Sequence, residues 1–590
     1  MSCKSKVLSS LPRTRTSALL WAALLGVLVL ALSLAWRSID NYRNYFGMYH
    51  DDAIYLVTAK ALSEGHGYRI ISLPGEPAET KYPIGFPLIL SLIWATWPHF
   101  PENLPAFEIV QALFALGAAA AACGYLVATG KTTHRLGLVI FSACILNSHY
   151  LDLAPMVLSD LPCALLSMIA IWMTECESRR PWSLKRSLLL ALVLVAAVTL
   201  RSQGVVVLIA ALAFLAIRKC LRPFLLVLLT ASLLLLPQYL WQLYEQKLAP
   251  DFLSFYTNYL AHSLRTMSWA SDLRVLAWER LASSGYLQIT TYYPFTGRIP
   301  YPSLSPLAFE LVYRGLFILL VLPLLVGAVR DFFRGGLPGL FIILSAVALS
   351  IWPLQLEWRH LMPLLPIHYY LLFRGYRFFA WKLKPRAKAY RRFYAYVSWL
   401  AAILFALYLV GGSLLESLER AGHYGKVLAK RWPWFNAEIQ NQDYSEAYRW
   451  IKEKTRPDDT FVCNNDPRLF LYTGRKAVFP SRLEIWRFAR SDLVDAGSLL
   501  EAIKFAQAKY VIIEPTYMAQ GLGTAQLNLS MLALAGRYPT ALNPSFASSH
   551  GLIHIFSIDC RQLPQKWPPQ ISSSGPDCEP ACDPRHVFVR

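Results

Sequence analysis

Between residues 18 and 414 the chain returns repeatedly to apolar stretches of about 14 to 22 residues, close to the length a helix needs to cross a hydrocarbon core. No other feature narrows the fold as much. Lipid offers no partner for backbone N–H and C=O groups, so each stretch must satisfy its own as a helix. Composition agrees: 55% of the residues are apolar and only 16% charged, where soluble domains lie nearer about a quarter charged. The net charge of +20, from 57 Lys+Arg against 37 Asp+Glu, could point to nucleic acid. Its placement argues against that partner, because the basic residues cluster in short links between apolar spans.

The predicted spans are 18–36, 106–128, 136–150, 155–175, 187–200, 203–217, 221–241, 312–329, 337–353, 360–373 and 395–414. The first follows Lys4, Lys6, Arg13 and Arg15 and is too long for a signal-peptide core, so it reads as an uncleaved helix with its N-terminus in the cytoplasm. Residues 84–98 are apolar but interrupted by Pro87 and bounded by Pro83 and Pro98, and read as interfacial or re-entrant. With that segment left out, the basic links 130–135, 177–186, 218–222, 330–334 and 374–392 all fall on one face together with the N-terminus. The expectation is an α-helical polytopic membrane protein with about eleven transmembrane helices, an integral protein of the plasma (inner) membrane.

The opposite face gathers polar groups from distant parts of the chain. It holds the first outer loop, 37–105, the link before Asp160, the hairpin tip at Arg201, the aromatic loop 242–311 and the link 356–360. The tail from about 415 alternates helix and strand patterns. Amphipathic 444–455 and 498–508 read as helices, and 460–464, 510–514 and 551–559 as strands. The predicted division is therefore a transmembrane catalytic domain, 1–414, and an extracytoplasmic α/β domain, 415–590. The tail has no phosphate loop and no zinc-type cysteine spacing. Of ten cysteines, Cys560, Cys578 and Cys582 could form a Cys578–Cys582 or a Cys560–Cys578 disulfide on the outer side.

The outer loop carries "HDDAIYLVTAKALSEG" from His50, with Asp51 and Asp52 adjacent. One acid suffices to cap a helix start. A second beside the membrane fits a carboxylate that takes a proton from an acceptor hydroxyl or amine. The order Asp51, Asp52, Tyr55, then Lys81-Tyr82-Pro83 in "TKYPIGFPL" resembles the GT-C membrane glycosyltransferases, in particular the aminoarabinose transferase and protein O-mannosyltransferase-like group. The likeness follows element order through the membrane domain and is specific only in the first loop. It implies a GT-C fold and gives Asp51 the role of base with Asp52 in support. Asp at position 52, where many relatives have Glu, and Thr80, where many have an acid, leave open which Asp is the base and whether a divalent cation is required.

The same resemblance gives Lys81 to the leaving phosphate, Asp160 to the acceptor or a metal, and Arg201, Arg359 and His360 to the donor phosphate. Each has a plainer reading: an interfacial anchor for Lys81, a helix cap for Asp160, and an anchor or ion pair, such as Glu357 with Arg359, for the others. The implied function is transfer of a monosaccharide from a polyprenyl-phosphate donor to a lipid, glycan or protein acceptor on the outer face. A transporter or flippase of lipid-linked sugars is the alternative. Transporters usually show two related halves, and no such repeat is visible.

Overall fold

The computed structural model describes residues 25–29, 31–33, 46–47, 49–248, 253, 256, 287–294, 296, 311–312, 314–350, 357–385, 388–431, 437–479, 496–514 and 521–565. The first predicted span is helical where described. Most of the aromatic loop 242–311 lies outside the described residues, as do Cys578 and Cys582 and the pairings drawn through them.

Two helices belong to the first outer loop: α1 (Asp51–Ser63) and α2 (Gly85–Thr96). A bundle follows: α3 (Leu104–Ala128), α4 (His134–Ile145), α5 (Ser148–Leu153), α6 (Asp160–Ser178), α7 (Leu184–Leu200), α8 (Gly204–Ile217) and α9 (Leu221–Gln246). It is completed by α10 (Leu322–Phe333), α11 (Leu337–Ser350), α12 (Leu365–Lys382) and α13 (Lys388–Arg431). Among the described residues, four helical segments are long and apolar enough to cross a membrane: Leu104–Ala128, Leu221–Gln246, Arg314–Phe333 and Tyr390–Glu419. The protein is therefore an α-helical integral membrane protein.

Local chemistry explains where the helices depart from the expected spans. The stretch 136–150 splits because Asn147 turns the chain: its Oδ1 accepts from the Tyr150 N–H at 3.0 Å and caps α5. α6 begins only at Asp160, with Pro162 in its first turn, where a missing N–H costs nothing. α2 has 12 residues, about 18 Å of helix and too short to cross. Its Gly85 lies against the end of α7, where an added Cβ would stand 2.7 Å from the Thr199 carbonyl oxygen. α10 and α12 approach closely through two glycines. A Cβ on Gly327 would stand 1.9 Å from the Leu371 oxygen, and one on Gly375 1.8 Å from the Pro323 oxygen. Small residues of this kind let two membrane helices pack backbone to backbone.

After α13 and α14 (Ala437–Lys454), the chain forms β1 (Phe461–Val462), α15 (Asp466–Thr473), β2 (Ala477–Val478), α16 (Ala496–Ala506), β3 (Tyr510–Ile513), α17 (Gly521–Arg537), β4 (Leu542–Ala547) and β5 (His554–Ile558). The sheet order is β2-β1-β3-β5-β4, with β2, β1 and β3 parallel and β5 and β4 antiparallel. Alternation of strand and helix after residue 440 predicts this sheet, while β2, β4, α15 and α17 are too short or too mixed to read in advance. The apolar core runs without a break from the bundle into Val462, Val478, Leu499 and Val511 of this unit.

Ion pairs and a hydrogen bond tie the basic links together at one end of the bundle. Lys131 and Arg179 share Glu175, Arg186 meets Glu177, Arg374 meets Asp331, and Arg218 donates to the Gly335 carbonyl. Asp160 begins α6 and Glu175 lies near its end, about 22 Å along the axis. The polar groups beside Asp160 therefore occupy the other end.

Candidate active site

α1 opens on its two acids, and the helix start treats them differently. Asp52 is fully buried. Its Oδ2 accepts from the Gly47 N–H at 2.9 Å and its Oδ1 from the Ala53 N–H at 3.0 Å. It serves the backbone and the helix N-terminus, where a negative charge is stabilised. Asp51, one position earlier, points outward from α1 and keeps 16% of its side chain exposed. The two acids thus differ in orientation despite being neighbours in sequence.

Asp51 is the hub of a charged cluster. Arg359 Nη2 donates to its Oδ2 at 2.9 Å across 308 residues of chain. The Tyr82 hydroxyl donates to Oδ1. Burial by itself would raise the Asp51 carboxyl, but Arg359, Lys81 and the Tyr82 hydrogen bond outweigh it and hold the group well below the usual carboxylate range. Arg359 has capacity left. Glu357 lies 2.5 Å from Nε as an ion pair out of line for a hydrogen bond. Nη1 has no acceptor among the described residues. A buried guanidinium with unused donors is suited to an incoming anion.

Lys81 and Tyr82 are presented by a braced loop. Glu79 Oε1 accepts from the Lys81 N–H at 2.6 Å and the Tyr82 N–H at 3.0 Å, and Tyr68 donates to the Tyr82 and Pro83 carbonyls at 3.1 and 3.2 Å. Lys81 Nζ lies 4.8 Å from the centre of the Tyr82 ring. Burial lowers the affinity of Lys81 for its proton, while Asp51 and Glu79 oppose that effect.

A second group adjoins the first through rings. Tyr55 packs on Tyr82 with centroids 4.9 Å apart, and its hydroxyl shares a 2.9 Å hydrogen bond with Ser159. Arg201 Nη1 donates to Ser159 Oγ at 3.1 Å and to Asp160 Oδ2 at 3.0 Å. Asp160 is wholly buried, and its Oδ1 has no partner among the described residues. His360 is used differently. Its Nδ1 accepts from the Glu357 N–H at 3.1 Å and closes the turn before α12.

The structure thus brings Asp51, Lys81, Tyr82, Tyr55, Asp160, Arg201 and Arg359 to one end of the bundle. It sets Asp52 and His360 beside them as backbone anchors. Among the described residues no group of three or more His, Cys, Asp or Glu side chains could hold a metal ion; Asp160 is instead held by Arg201.

Sequence reasoning missed His50 and Asp466. His50 precedes Asp51 with φ +60°, a conformation costly for a residue with a side chain. Its Nε2 lies 3.2 Å from Asp466 Oδ1 at the start of α15. Asp466 also accepts from Ser72 Oγ at 3.1 Å and from the Tyr256 hydroxyl. Asn465 donates to the Gly47 carbonyl at 2.5 Å. "NNDPR" at 464–468 reads only as a helix start; nothing local reveals a partner more than 400 residues earlier.

No protein-family model matches this sequence, and no curated protein does. Solved structures do match. ArnT from Cupriavidus metallidurans, in the apo state, aligns over 93% of this chain and 100% of its own, with a TM-score of 0.52 and 13% identity. The oligosaccharyltransferase AglB from Archaeoglobus fulgidus, in complex with an inhibitory peptide and a dolichol-phosphate, aligns over 91% of this chain and 75% of its own, with a TM-score of 0.50 and 12% identity. Both are GT-C glycosyltransferases.

The chain has the GT-C fold.

Within this GT-C fold five separate segments build the cluster: the start of α1, the loop before α2, the start of α6, the turn between α7 and α8, and the link before α12.

Proposed function

We propose that the protein is a membrane glycosyltransferase that moves a monosaccharide from a polyprenyl-phosphate donor to an acceptor on the outer face of the membrane. The observation that carries this reading is the meeting of Asp51 with Arg359 at 2.9 Å, with Lys81 beside them. A proton acceptor and phosphate-binding cations are the two halves of this chemistry. The fold, and the dolichol-phosphate bound to AglB, support a lipid phosphate as leaving group.

The reaction is a single displacement with inversion. The acceptor heteroatom attacks the anomeric carbon while the bond from that carbon to the phosphate oxygen breaks. The electron pair leaves with the phosphate and the acceptor proton passes to Asp51. Lys81, Arg359 and Arg201 stabilise the released charge. Entry of the donor phosphate draws Arg359 partly away from Asp51, so the carboxylate grows more basic when it is needed. Tyr82 and Tyr55 orient Asp51, and Asp52 and His360 hold the backbone around it. Asp160 fixes Arg201 and faces the acceptor. The chain crosses the plasma (inner) membrane about eleven times with its N-terminus inside, and residues 415–590 form an outer domain that recognises the acceptor.

The purified protein, given polyprenyl-phosphate sugars, is expected to release polyprenyl phosphate, and Asp51→Asn to stop release while donor still binds. Normal turnover by Asp51→Asn would remove the mechanism. Passage of intact donor across the bilayer without release would mark a transporter.

A further inference from the structure

The end of the bundle away from Asp51 contains a second charged site. Lys131, Arg330, Arg334, Arg374 and Arg377 converge on a cavity of about 430 Å³. They come from three places: the link after α3, the end of α10 and the last turns of α12. The acids paired with these cations are Asp331, 2.6 Å from Arg374, and Glu175, 2.8 Å from Lys131. Glu175 is also shared with Arg179. Five cations against two carboxylates leave an excess of three positive charges.

Part of this charge is needed by the fold, since α10 and α12 end here and cations complement helix C-termini. That role does not require a cavity or fixed guanidinium groups. Arg330 lies over the Phe378 ring at 3.9 Å, which leaves its edge donors available. Arg374 is anchored by Asp331 and by the Tyr370 hydroxyl, whose oxygen it meets at 2.5 Å. Snorkelling side chains reach outward to water; Lys131 and Arg374 instead keep only 11% and 25% of their side chains exposed.

What lies next to the cavity indicates its ligand. Leu325, Val329 and Phe333, four residues apart on α10, are 49%, 43% and 79% exposed. They form one apolar stripe on a membrane-length helix and lead to the basic cavity. Trp381 at its edge is 64% exposed, as suits a ring at headgroup depth. A phosphate in the cavity would place acyl chains on that stripe. Basic pockets between membrane helices hold anionic lipid headgroups in this way.

We propose that this cavity binds the phosphate of an anionic glycerophospholipid, with its acyl chains along Leu325, Val329 and Phe333. The site is separate from the Asp51 cluster and does not depend on the proposed transferase reaction.

The full chain in neutral detergent would be titrated with dioctanoyl phosphatidylglycerol, dioctanoyl phosphatidylcholine or inorganic phosphate. Native mass spectrometry would count bound lipid and thermal unfolding would report its effect. Saturable binding of phosphatidylglycerol, at least about tenfold tighter than phosphatidylcholine, is expected. Each cation removed should weaken it about fivefold, so Arg330→Gln with Arg377→Gln should weaken it by about twenty-five-fold. Arg222→Gln, a basic residue outside the cavity, should leave binding unchanged. If the double variant fails to fold, Arg334→Gln at an exposed position carries the single-residue expectation. Equal binding of the two lipids, or unchanged binding in the cavity variants, would overturn the site. An equal response to inorganic phosphate would overturn the assignment to lipid.

Discussion

Two adjacent aspartates have separated into different tasks because a helix start offers two different environments. Asp52 turns inward to the Gly47 and Ala53 amides, while Asp51 turns to Arg359 and Tyr82. Asp51→Asn is expected to lower transfer by about 10²–10⁴-fold with little change in unfolding temperature, measured by polyprenyl-phosphate release and thermal unfolding. Asp52→Asn should chiefly lower stability, by about 1–3 kcal/mol, because it disturbs a buried acceptor. Arg359 distinguishes charge from shape. Arg359→Lys keeps the charge and loses the forked donors, so donor KM should rise and the loss should exceed that of a charge-preserving change at an exposed site. Steady-state kinetics over a donor series would measure it.

At the scale of elements, the site is held by contacts that join distant segments. The strained backbone at His50 is kept in place by Asp466 on α15, which also binds Ser72 and Tyr256. Asp466→Asn weakens that anchor and should lower kcat more than donor affinity, since it shifts Asp51 and leaves Lys81 and Arg359 in place. Comparing kcat with donor binding on the folded variant tests this. The α10–α12 pair depends on Gly327 and Gly375, where a Cβ would fall within 2 Å of backbone oxygen. Gly375→Ala should force the helices apart and cost several kcal/mol, about 1–3 or more as for overpacked cores, read as a lower unfolding temperature in detergent. α12 carries the Arg359 link at one end and the basic cavity at the other, so both sites should be disturbed together.

For the whole molecule, the C-terminal sheet unit is continuous with the bundle core and contacts the site through α15. It buries a carboxyl at Glu514, whose side chain accepts from the Tyr444 hydroxyl at 2.8 Å. Burial pushes its carboxyl up to about 7 from an ordinary value of 4.5. The folded chain therefore retains a proton that the unfolded chain releases between these values. This contribution to stability is complete below pH 4.5 and is lost as pH rises to about 7. Glu514→Gln should flatten the fall in unfolding temperature across that interval, in thermal melts from pH 4 to 8.

Sequence alone determined the membrane character, because apolar length and the one-sided placement of basic links depend only on chain order. It also marked Asp51, Lys81, Arg201 and Arg359 as charges out of place, since a polar group beside lipid is costly wherever it occurs. It carried the strand–helix alternation after residue 440 as well. Only the tertiary structure decided which aspartate faces the cations, that Asp160 belongs to Arg201, and that His360 closes a turn. The same holds for His50 with Asp466, and for the cavity built from Lys131, Arg330 and Arg374. Apart from the three-residue His360 turn, these are contacts across tens to hundreds of residues; all are fixed by packing direction and rotamer, and a linear pattern carries neither.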